Sequence, residues 1–577
     1  MNTPWIITPL SPEEEATAQH LAARMEMSLV VSRLLVRRGI RSVEAAHSFF
    51  NPRLEELHDP CLMQDMDRAV RRLVLAIDQG EGIMLFGDYD VDGTTAVALL
   101  YNFLRSHTPA TGLSYYIPDR YDEGYGISRR AIDEAHAREA SLIIALDCGI
   151  KAHEEVAYAR ELGIDFIVCD HHQPAETLPE AVAVLDPKRL DDDYPCKHLS
   201  GCGVGFKLVQ GYLQHRGMEP RIAFQYLDLL AISIAADIVP IVGENRILAY
   251  HGLKQLNSHP SIPIAAIMRL CQLETGDVDM GSIIFKIAPR INASGRMMNG
   301  SQAVELLLSR QDDEAEQLCQ RLESCNEQRR ELDLELTNEA LELIASRPAL
   351  LERRALVLYR PDWHKGVLGI VASRLAERFH RPTIILTGSG NEVSASARSA
   401  GGVNLYEALE ACQDCLINFG GHPFASGLTI AEERIEELAE RLDHYLQSHV
   451  AESSLVPVLE ADDELELSAL TPQLLRELSA MAPFGSGNEM PLFVSRRLRD
   501  AGGSRVVGKG DRHIKLRLTD AYCQSRPINA IALRLSKHAP HILRQQLFDL
   551  CYTIEENNFY GSGFMQLQVK DIHPIQP

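Results

Sequence analysis

The chain has 577 residues, 45% of them hydrophobic and 24% charged, which excludes wholesale disorder and predicts about three or four domains with proper cores. Fifty-seven Lys plus Arg stand against 80 Asp plus Glu, a net charge of −23, so a protein coated in basic surface is excluded. A nucleic-acid enzyme is not, because the charge that matters is local to a groove and metal ions add to it. The longest apolar stretch, 226–242, is interrupted by Asp228 and Asp237, whereas a spanning helix needs about 20 apolar residues. Glu13, Glu14 and Glu15 stand where a secretory signal would be apolar. Twelve cysteines are too few for a disulfide scaffold, and Cys148 and Cys169 lie inside apolar runs. A reducing, cytoplasmic location is expected, with no membrane contact.

Residues 1–75 read as helical and partly basic, with Arg33, Arg37, Arg38 and Arg41 close together. Over 76–305, short apolar runs alternate with helix-length amphipathic segments: 83–86, then a helix from about Thr94; 142–146, then 152–162; 166–169; 181–185. Strands of this length separated by helices predict a parallel α/β sheet. Residues 306–350 contain a long polar stretch without Gly or Pro from 311 to 346, with Leu318, Leu322, Leu332 and Leu336 near helical spacing. It predicts a connecting helix with a solvated acidic face. A second α/β domain is expected over 351–450. Alternating runs such as 513–518 and 565–569 predict a small β-barrel within 455–577.

The strongest local pattern is LFGDYDVDGTT, residues 85–95. Asp88, Asp90 and Asp92 alternate just past an apolar run, so in extended backbone they point the same way. Three such carboxylates repel, and a bound cation offsets both the repulsion and the loss of water. Asp147 ends the run 142–146, and Asp170, His171 and His172 end the run 166–169. In open α/β sheets these carboxyl ends line one crevice. Oxygen ligands with imidazoles suit Mn²⁺ or Mg²⁺, and five carboxylates exceed the need of one ion, so a pair of ions is expected, as in phosphoester hydrolysis. A calcium loop is ruled out because its twelfth position is Leu99 where Glu is required. The DxDGT of haloacid-dehalogenase-type phosphatases is a rival that leaves Asp88 and Asp170-His171-His172 without a role.

The motifs at 88–93, 147–149, 170–172 and 236–240 (ADIVP) resemble the four motifs of the DHH phosphoesterase superfamily. GGHPFASG, 420–427, resembles the signature of the DHH-associated domain, DHHA1. DRYDEGYG (119–126), PRINASGRM (289–297), Ser396-Ala-Arg398 and PFGSGN (483–488) are similar to those of the RecJ family of single-stranded-DNA exonucleases. The likeness covers nearly the whole chain and implies a DHH catalytic domain, a DHHA1 domain and a C-terminal OB-fold barrel.

The resemblance also implies roles. Asp88 and Asp90 would serve one metal, Asp92, His171 and Asp237 the other, with Asp147 bridging. His172 would stabilise the attacked phosphate or pass a proton, and Asp170 would orient a histidine. Arg296, Ser396 and Arg398 would hold a 5′ phosphate, and His422 would approach the scissile region from its glycine-flanked turn, in a cleft between the DHH and DHHA1 domains. The implied activity is 5′→3′ hydrolysis of single-stranded DNA to mononucleotides, in recombination and repair, by a monomer working with a RecQ-like helicase and single-strand-binding protein. DHH enzymes acting on short oligonucleotides or cyclic dinucleotides, and a non-catalytic replication scaffold of the same fold, are the alternatives.

From 495 to 517 eight basic residues (Arg496, Arg497, Arg499, Arg505, Lys509, Arg512, Lys515, Arg517) reverse the chain's overall sign, which suits a single-strand path. Tyr522, Phe559 and Tyr560 are the candidate stacking aromatics. Cys412 and Cys415 lack a second pair at zinc spacing and are read as helix cysteines.

Overall fold

The computed structural model describes residues 3–107, 112–390, 392–556 and 564–575. Two units divide the chain: residues 7–323 with 460–577, and residues 324–459 with the first six.

In the first unit the apolar runs form an all-parallel sheet, ordered Leu113–Tyr116, Gly82–Gly87, Ala140–Leu146, Asp165–Cys169, Ala183–Leu185. Burial on both faces explains why the central strands read as unbroken apolar runs rather than alternating ones. Numbered along the chain, the spatial order is 2-1-3-4-5, a doubly wound sheet whose ligand crevice lies between the carboxyl ends of its first and third strands. Pattern reading does not find the strand Leu113–Tyr116, because LSYY is half polar and sits at the sheet edge.

The helix after the first strand is Val91–Leu104, earlier than the spacing predicts. Asp90 is its N-cap, accepting from the Gly93 N–H at 3.1 Å. The three aspartates therefore do not share one extended segment: Asp88 lies in the strand-end turn, Asp90 caps the helix, and Asp92 is in its first turn.

A buried ion pair ties this unit together. Lys207 Nζ lies 2.6 Å from the Glu244 carboxylate, both side chains fully buried. Glu244 also accepts from the Tyr194 hydroxyl at 2.6 Å and the His58 N–H at 2.9 Å. Glu244→Ala strands a buried lysine and should cost about 3–5 kcal/mol. Calorimetry should show a lower unfolding midpoint, and an unchanged midpoint would make the pair dispensable.

The N-terminal helices Pro12–Met25, Leu29–Arg37 and Val43–Phe50 each start at a serine cap, Ser11, Ser28 and Ser42. Their buried face does not join the parallel sheet. Leu21, Leu34 and Leu35 share a core with Leu475, Phe493, Leu516 and Phe548 of the C-terminal region. The basic cluster here is occupied: Arg33 pairs with Glu15 at 2.7 Å and Asp463 at 3.2 Å, and Arg41 with Glu14 at 3.0 Å.

The predicted barrel is present. Strands Phe493–Asp500, Phe548–Glu556, Met565–Pro574, Ile528–Ala532 and His513–Asp520 form a ring, closed where Leu498 pairs with Asp520 and Asp500 with Leu518. Ile514, Leu516 and Leu518 are buried, whereas His513, Lys515 and Arg517 alternate outward.

The second unit holds a mixed sheet, ordered Asn418–His422, Ala425–Ile430, Glu392–Arg398, Thr383–Ser389, Leu356–Tyr359, with the last two parallel. The long helix runs Asp312–Ser346, 35 residues. Cys412 and Cys415 are free, buried thiols just beyond the helix Leu405–Glu410 rather than within it. Cys415 Sγ donates to the Cys412 carbonyl at 2.9 Å. Among the described residues, no helix is long and apolar enough to cross a membrane.

Candidate active site

Asp88 follows the first strand, Asp147 the third and Asp170, His171 and His172 the fourth, all at the carboxyl edge of the sheet. Asp237 joins them as the C-cap of the helix Leu227–Ala236. Ligand atoms of Asp88, Asp90 and Asp147 lie within 4.8 Å of one another, as do those of Asp92, His171 and Asp237, and those of Asp147, His171 and His172. His171 Nε2 is 3.2 Å from Asp147 Oδ1 and 3.5 Å from Asp237 Oδ2.

Backbone geometry aims these groups. Asp147 sits in the left-handed region at φ 62°, which aspartate tolerates better than most residues, and its N–H donates to the Cys169 carbonyl at 2.9 Å. Asp92 accepts from the N–H groups of Gly201 at 2.6 Å and Cys202 at 2.8 Å, and from the Ser233 hydroxyl at 2.7 Å. The two N–H groups open the helix Gly201–His215, where unpaired donors and the helix dipole favour an anion. Asp170 turns away from the cluster. It accepts from the N–H groups of Ile150 at 2.9 Å, His171 at 2.7 Å and His172 at 3.1 Å, and from His172 Nδ1 at 2.8 Å.

The donor set fits a divalent cation. Asp88 Oδ1 and Asp147 Oδ1 are buried without a hydrogen-bond partner, in the middle of an acidic cluster. Burial and then the charge of Asp90 hold the Asp88 carboxyl well above the usual range; burial and then Asp92 do the same for Asp147. Burial, then Asp92 and Asp90, push Asp237 up to about 8. Burial lowers His171 to about 4, keeping it neutral and a ready ligand. Burial opposes charge on His172, but the hydrogen bond and charge of Asp170 outweigh it and raise His172 to about 9. Anions packed this way are costly unless a cation joins them, and carboxylates with imidazole suit Mn²⁺ or Mg²⁺.

Arg296 lies on the helix Ala288–Met297, seated against the aspartate motif. Asn292 Oδ1 accepts from the Val91 N–H at 3.1 Å, and a Cβ on Gly295 would meet the Tyr89 carbonyl at 2.6 Å. Ser396, Arg398 and His422 form a group in the second unit. Across three antiparallel strands, Arg398 pairs with Ala425 and Ala425 with His422, while Ser396 pairs with Gly427 and Gly427 with Gly420. Register partners share a face, so the three side chains project together beside a strip left bare by two glycines. Arg398 Nη1 donates to Ser396 Oγ at 3.1 Å. Both lie at the start of the helix Leu368–Phe379, where a Cβ on Gly369 would meet Arg398 Nη2 at 2.7 Å and Ser396 Oγ at 2.9 Å. Arginine, hydroxyl and helix N-terminus together suit a phosphate.

On the barrel, Arg505 is the register partner of Lys515, and Arg517 lies two residues on along the same outward row. Arg496 is instead paired with Asp549 at 3.0 Å and Glu464 at 3.2 Å. Tyr522 is exposed; Phe559 and Tyr560 lie outside the described residues.

Sequence reasoning assigned no role to Gly201, Cys202, Ser233 or Tyr125. The Tyr125 hydroxyl stands 3.2 Å from His172 Nε2. A serine followed by a glycine-rich helix start, SGCGVG at 200–205, is the signal that would have found the Asp92 cradle.

Residues 82–234 match the DHH family, N-terminal domain; residues 352–448 match the DHHA1 domain; residues 461–571 match the RecJ OB domain. With the doubly wound sheet and its acidic crevice, these define a protein of the DHH–DHHA1 class. The single-stranded-DNA-specific exonuclease RecJ of Bacillus subtilis is 34% identical over 97% of this chain and 70% of its own length. That of Salmonella typhimurium is 32% identical over 95% of this chain and 96% of its own. The crystal structure of RecJ in complex with Mn²⁺ from Thermus thermophilus matches with a TM-score of 0.83 at 27% identity, covering 100% of this chain and 80% of that one. The Mg²⁺ complex from the same organism matches at 0.76 and 25% identity, covering 100% and 79%. The chain belongs to the RecJ family.

Proposed function

We propose that this chain hydrolyses single-stranded DNA from the 5′ end, releasing 5′-mononucleotides, with two Mn²⁺ or Mg²⁺ ions. The reading is carried by the convergent carboxylate–histidine cluster in a chain similar along its whole length to proteins named single-stranded-DNA-specific exonucleases. Asp88, Asp90 and Asp147 would hold one ion, and Asp92, His171 and Asp237 the other, with Asp147 shared. Ions held there would neutralise the carboxylates and supply the charge that polarises a phosphodiester.

The chain's own residues orient the reaction. Asp170 fixes the His172 ring through Nδ1, and that charge-assisted bond keeps the ring protonated, so His172 brings positive charge and a proton to the phosphate. Ser396 and Arg398 bind the terminal phosphate, with His422 on the same face of their sheet, and Arg296 binds phosphate beside the aspartate motif. The outward row of Arg505, Lys515 and Arg517 follows the strand backbone without reading bases. The work belongs to recombination and repair in the cytoplasm, by a monomer acting behind a RecQ-like helicase and beside single-strand-binding protein.

The test is degradation with Mn²⁺ of matched single strands labelled at either end, beside a duplex. Mononucleotides should appear progressively from the 5′ end and none from duplex. Hydrolysis of dinucleotides alone would move the chain to the short-substrate DHH enzymes. Arg398→Ala should slow use of 5′-phosphorylated strands by about 10-fold or more, the worth of a charged hydrogen bond, and spare 5′-hydroxyl strands. Equal loss on both would remove the phosphate role.

A further inference from the structure

Asp237 is the member of the acidic cluster that follows a helix, Leu227–Ala236, rather than a strand of the sheet. It depends on a turn, 237–242, between the helices Leu227–Ala236 and Gly243–Leu256. The Asp237 N–H donates to the Ser233 carbonyl at 3.0 Å, so the near end of the turn is fixed by helix. The next residue, Ile238, sits at φ 57° and is 60% exposed. A β-branched residue adopts the left-handed region only under constraint from its surroundings, and exposed packing does not supply that constraint.

The constraint lies at the far end of the turn, in the loop 483–488 that precedes the barrel strands. The Ile241 N–H donates to the Ser486 carbonyl at 2.7 Å. Gly485 faces the buried Ile241 side chain so closely that a Cβ would collide with its Cδ1, and a Cβ on Gly487 would lie 3.3 Å from both Pro240 and Val242. The loop is itself rigid. Gly485 and Asn488 exchange backbone hydrogen bonds at 3.0 Å, and buried Asn488 donates to the carbonyls of Met481 at 2.9 Å and Pro483 at 2.8 Å. Arg38 Nε donates to Asn488 Oδ1 at 2.8 Å. Two residues of the following helix close the clamp: Asn245 donates to the Pro240 carbonyl at 3.0 Å and Arg246 to the Ala482 carbonyl at 3.0 Å.

The geometry points to loop 483–488 as a positioning element for Asp237: it grips Pro240, Ile241 and Val242 and so holds the turn, with Ile238 in its left-handed conformation, in place at the helix end that presents the Asp237 carboxylate to His171. Gly485 is a positioning residue because only a side chain of no size admits the turn so close, and Gly487 because its φ of 73° suits glycine and brings the loop against Pro240 and Val242. The assignment rests on the reading of Asp237 as a metal ligand.

The test is calorimetric titration of the full chain with Mn²⁺ alone, without DNA, for the unmodified protein and for Asp237→Asn, Gly485→Val, Gly487→Ala and Gly485→Val combined with Ile238→Gly. Gly485→Val should weaken one Mn²⁺ binding event by about 10–100-fold, as loss of a ligand's support does, and Gly487→Ala should weaken it less. Adding Ile238→Gly should restore much of the loss, because glycine reaches φ near +57° without strain and so needs the clamp less. Mn²⁺ binding unchanged in Gly485→Val while lost in Asp237→Asn would overturn the positioning role. So would weakening that Ile238→Gly fails to relieve, with a lowered unfolding midpoint marking general damage. Unchanged binding in Asp237→Asn would instead overturn the ligand reading, and the positioning role with it.

Discussion

Asp147→Asn should reduce Mn²⁺-dependent degradation of single-stranded DNA by at least about 1,000-fold, the several kcal/mol that charge stabilisation at such a site supplies. Asp147 is the carboxylate common to two of the three ligand groups, and its Oδ1 is buried with no hydrogen-bond partner. Asparagine is the informative replacement because it keeps the shape and tolerates φ 62°, whereas alanine would add backbone strain to the lost charge. The circular dichroism spectrum should therefore be unchanged. Nucleotide release retained within about 10-fold would remove Asp147 from the centre of the site.

Gly201→Ala should cost about 100-fold or more without replacing any titratable group. A Cβ there would stand 2.6 Å from Asp147 Cβ and Oδ1 and 2.8 Å from Asp147 Cα, so either the aspartate or the helix must move. The same helix start supplies the two N–H groups that hold Asp92, so one methyl disturbs a carboxylate in each of the three ligand groups. Gly203→Ala is the control: its Cβ would meet Leu199 and Ser200 at an ordinary 3.4 Å, and activity should be retained. Comparable losses from both substitutions would mean that the helix merely dislikes bulk, and the specific approach to Asp147 would lose its meaning.

What the sequence made legible follows from local physics. Asp88, Asp147, Asp170 and His171 stand directly after buried strands, and a parallel sheet delivers every such position to one edge. Alternation exposed the barrel strand His513–Asp520 because one of its faces is buried and the other is wet. Asp92 was placed on the wrong element, since DYDVDG alternates like a strand while Asp90 already caps a helix. SGCGVG marks an anion-holding helix start, but spacing does not tie it to Asp92, because Gly201 and Ser233 approach from more than 100 positions away. Asp237 was reached only through family likeness: alone, an aspartate ending an apolar helix is indistinguishable from a cap. The partner of the N-terminal helices was equally hidden, since amphipathicity shows that a face is covered but not by what.

The shared core of those helices and the barrel governs the order in which this chain can be built. Leu21, Leu34 and Leu35 leave the ribosome early, while Leu475, Phe493, Leu516 and Phe548 follow only after the entire parallel sheet has emerged. At roughly 5–20 residues per second, that interval is on the order of tens of seconds. The catalytic sheet can close in that time from segments close together in the chain, but the first three helices wait with an open apolar stripe. Translation stopped before residue 465 leaves the N-terminal helices without Leu475, Phe493, Leu516 and Phe548, a species for chaperones to hold or proteases to remove. The N-terminal helices therefore complete their packing only once the barrel strands have been made.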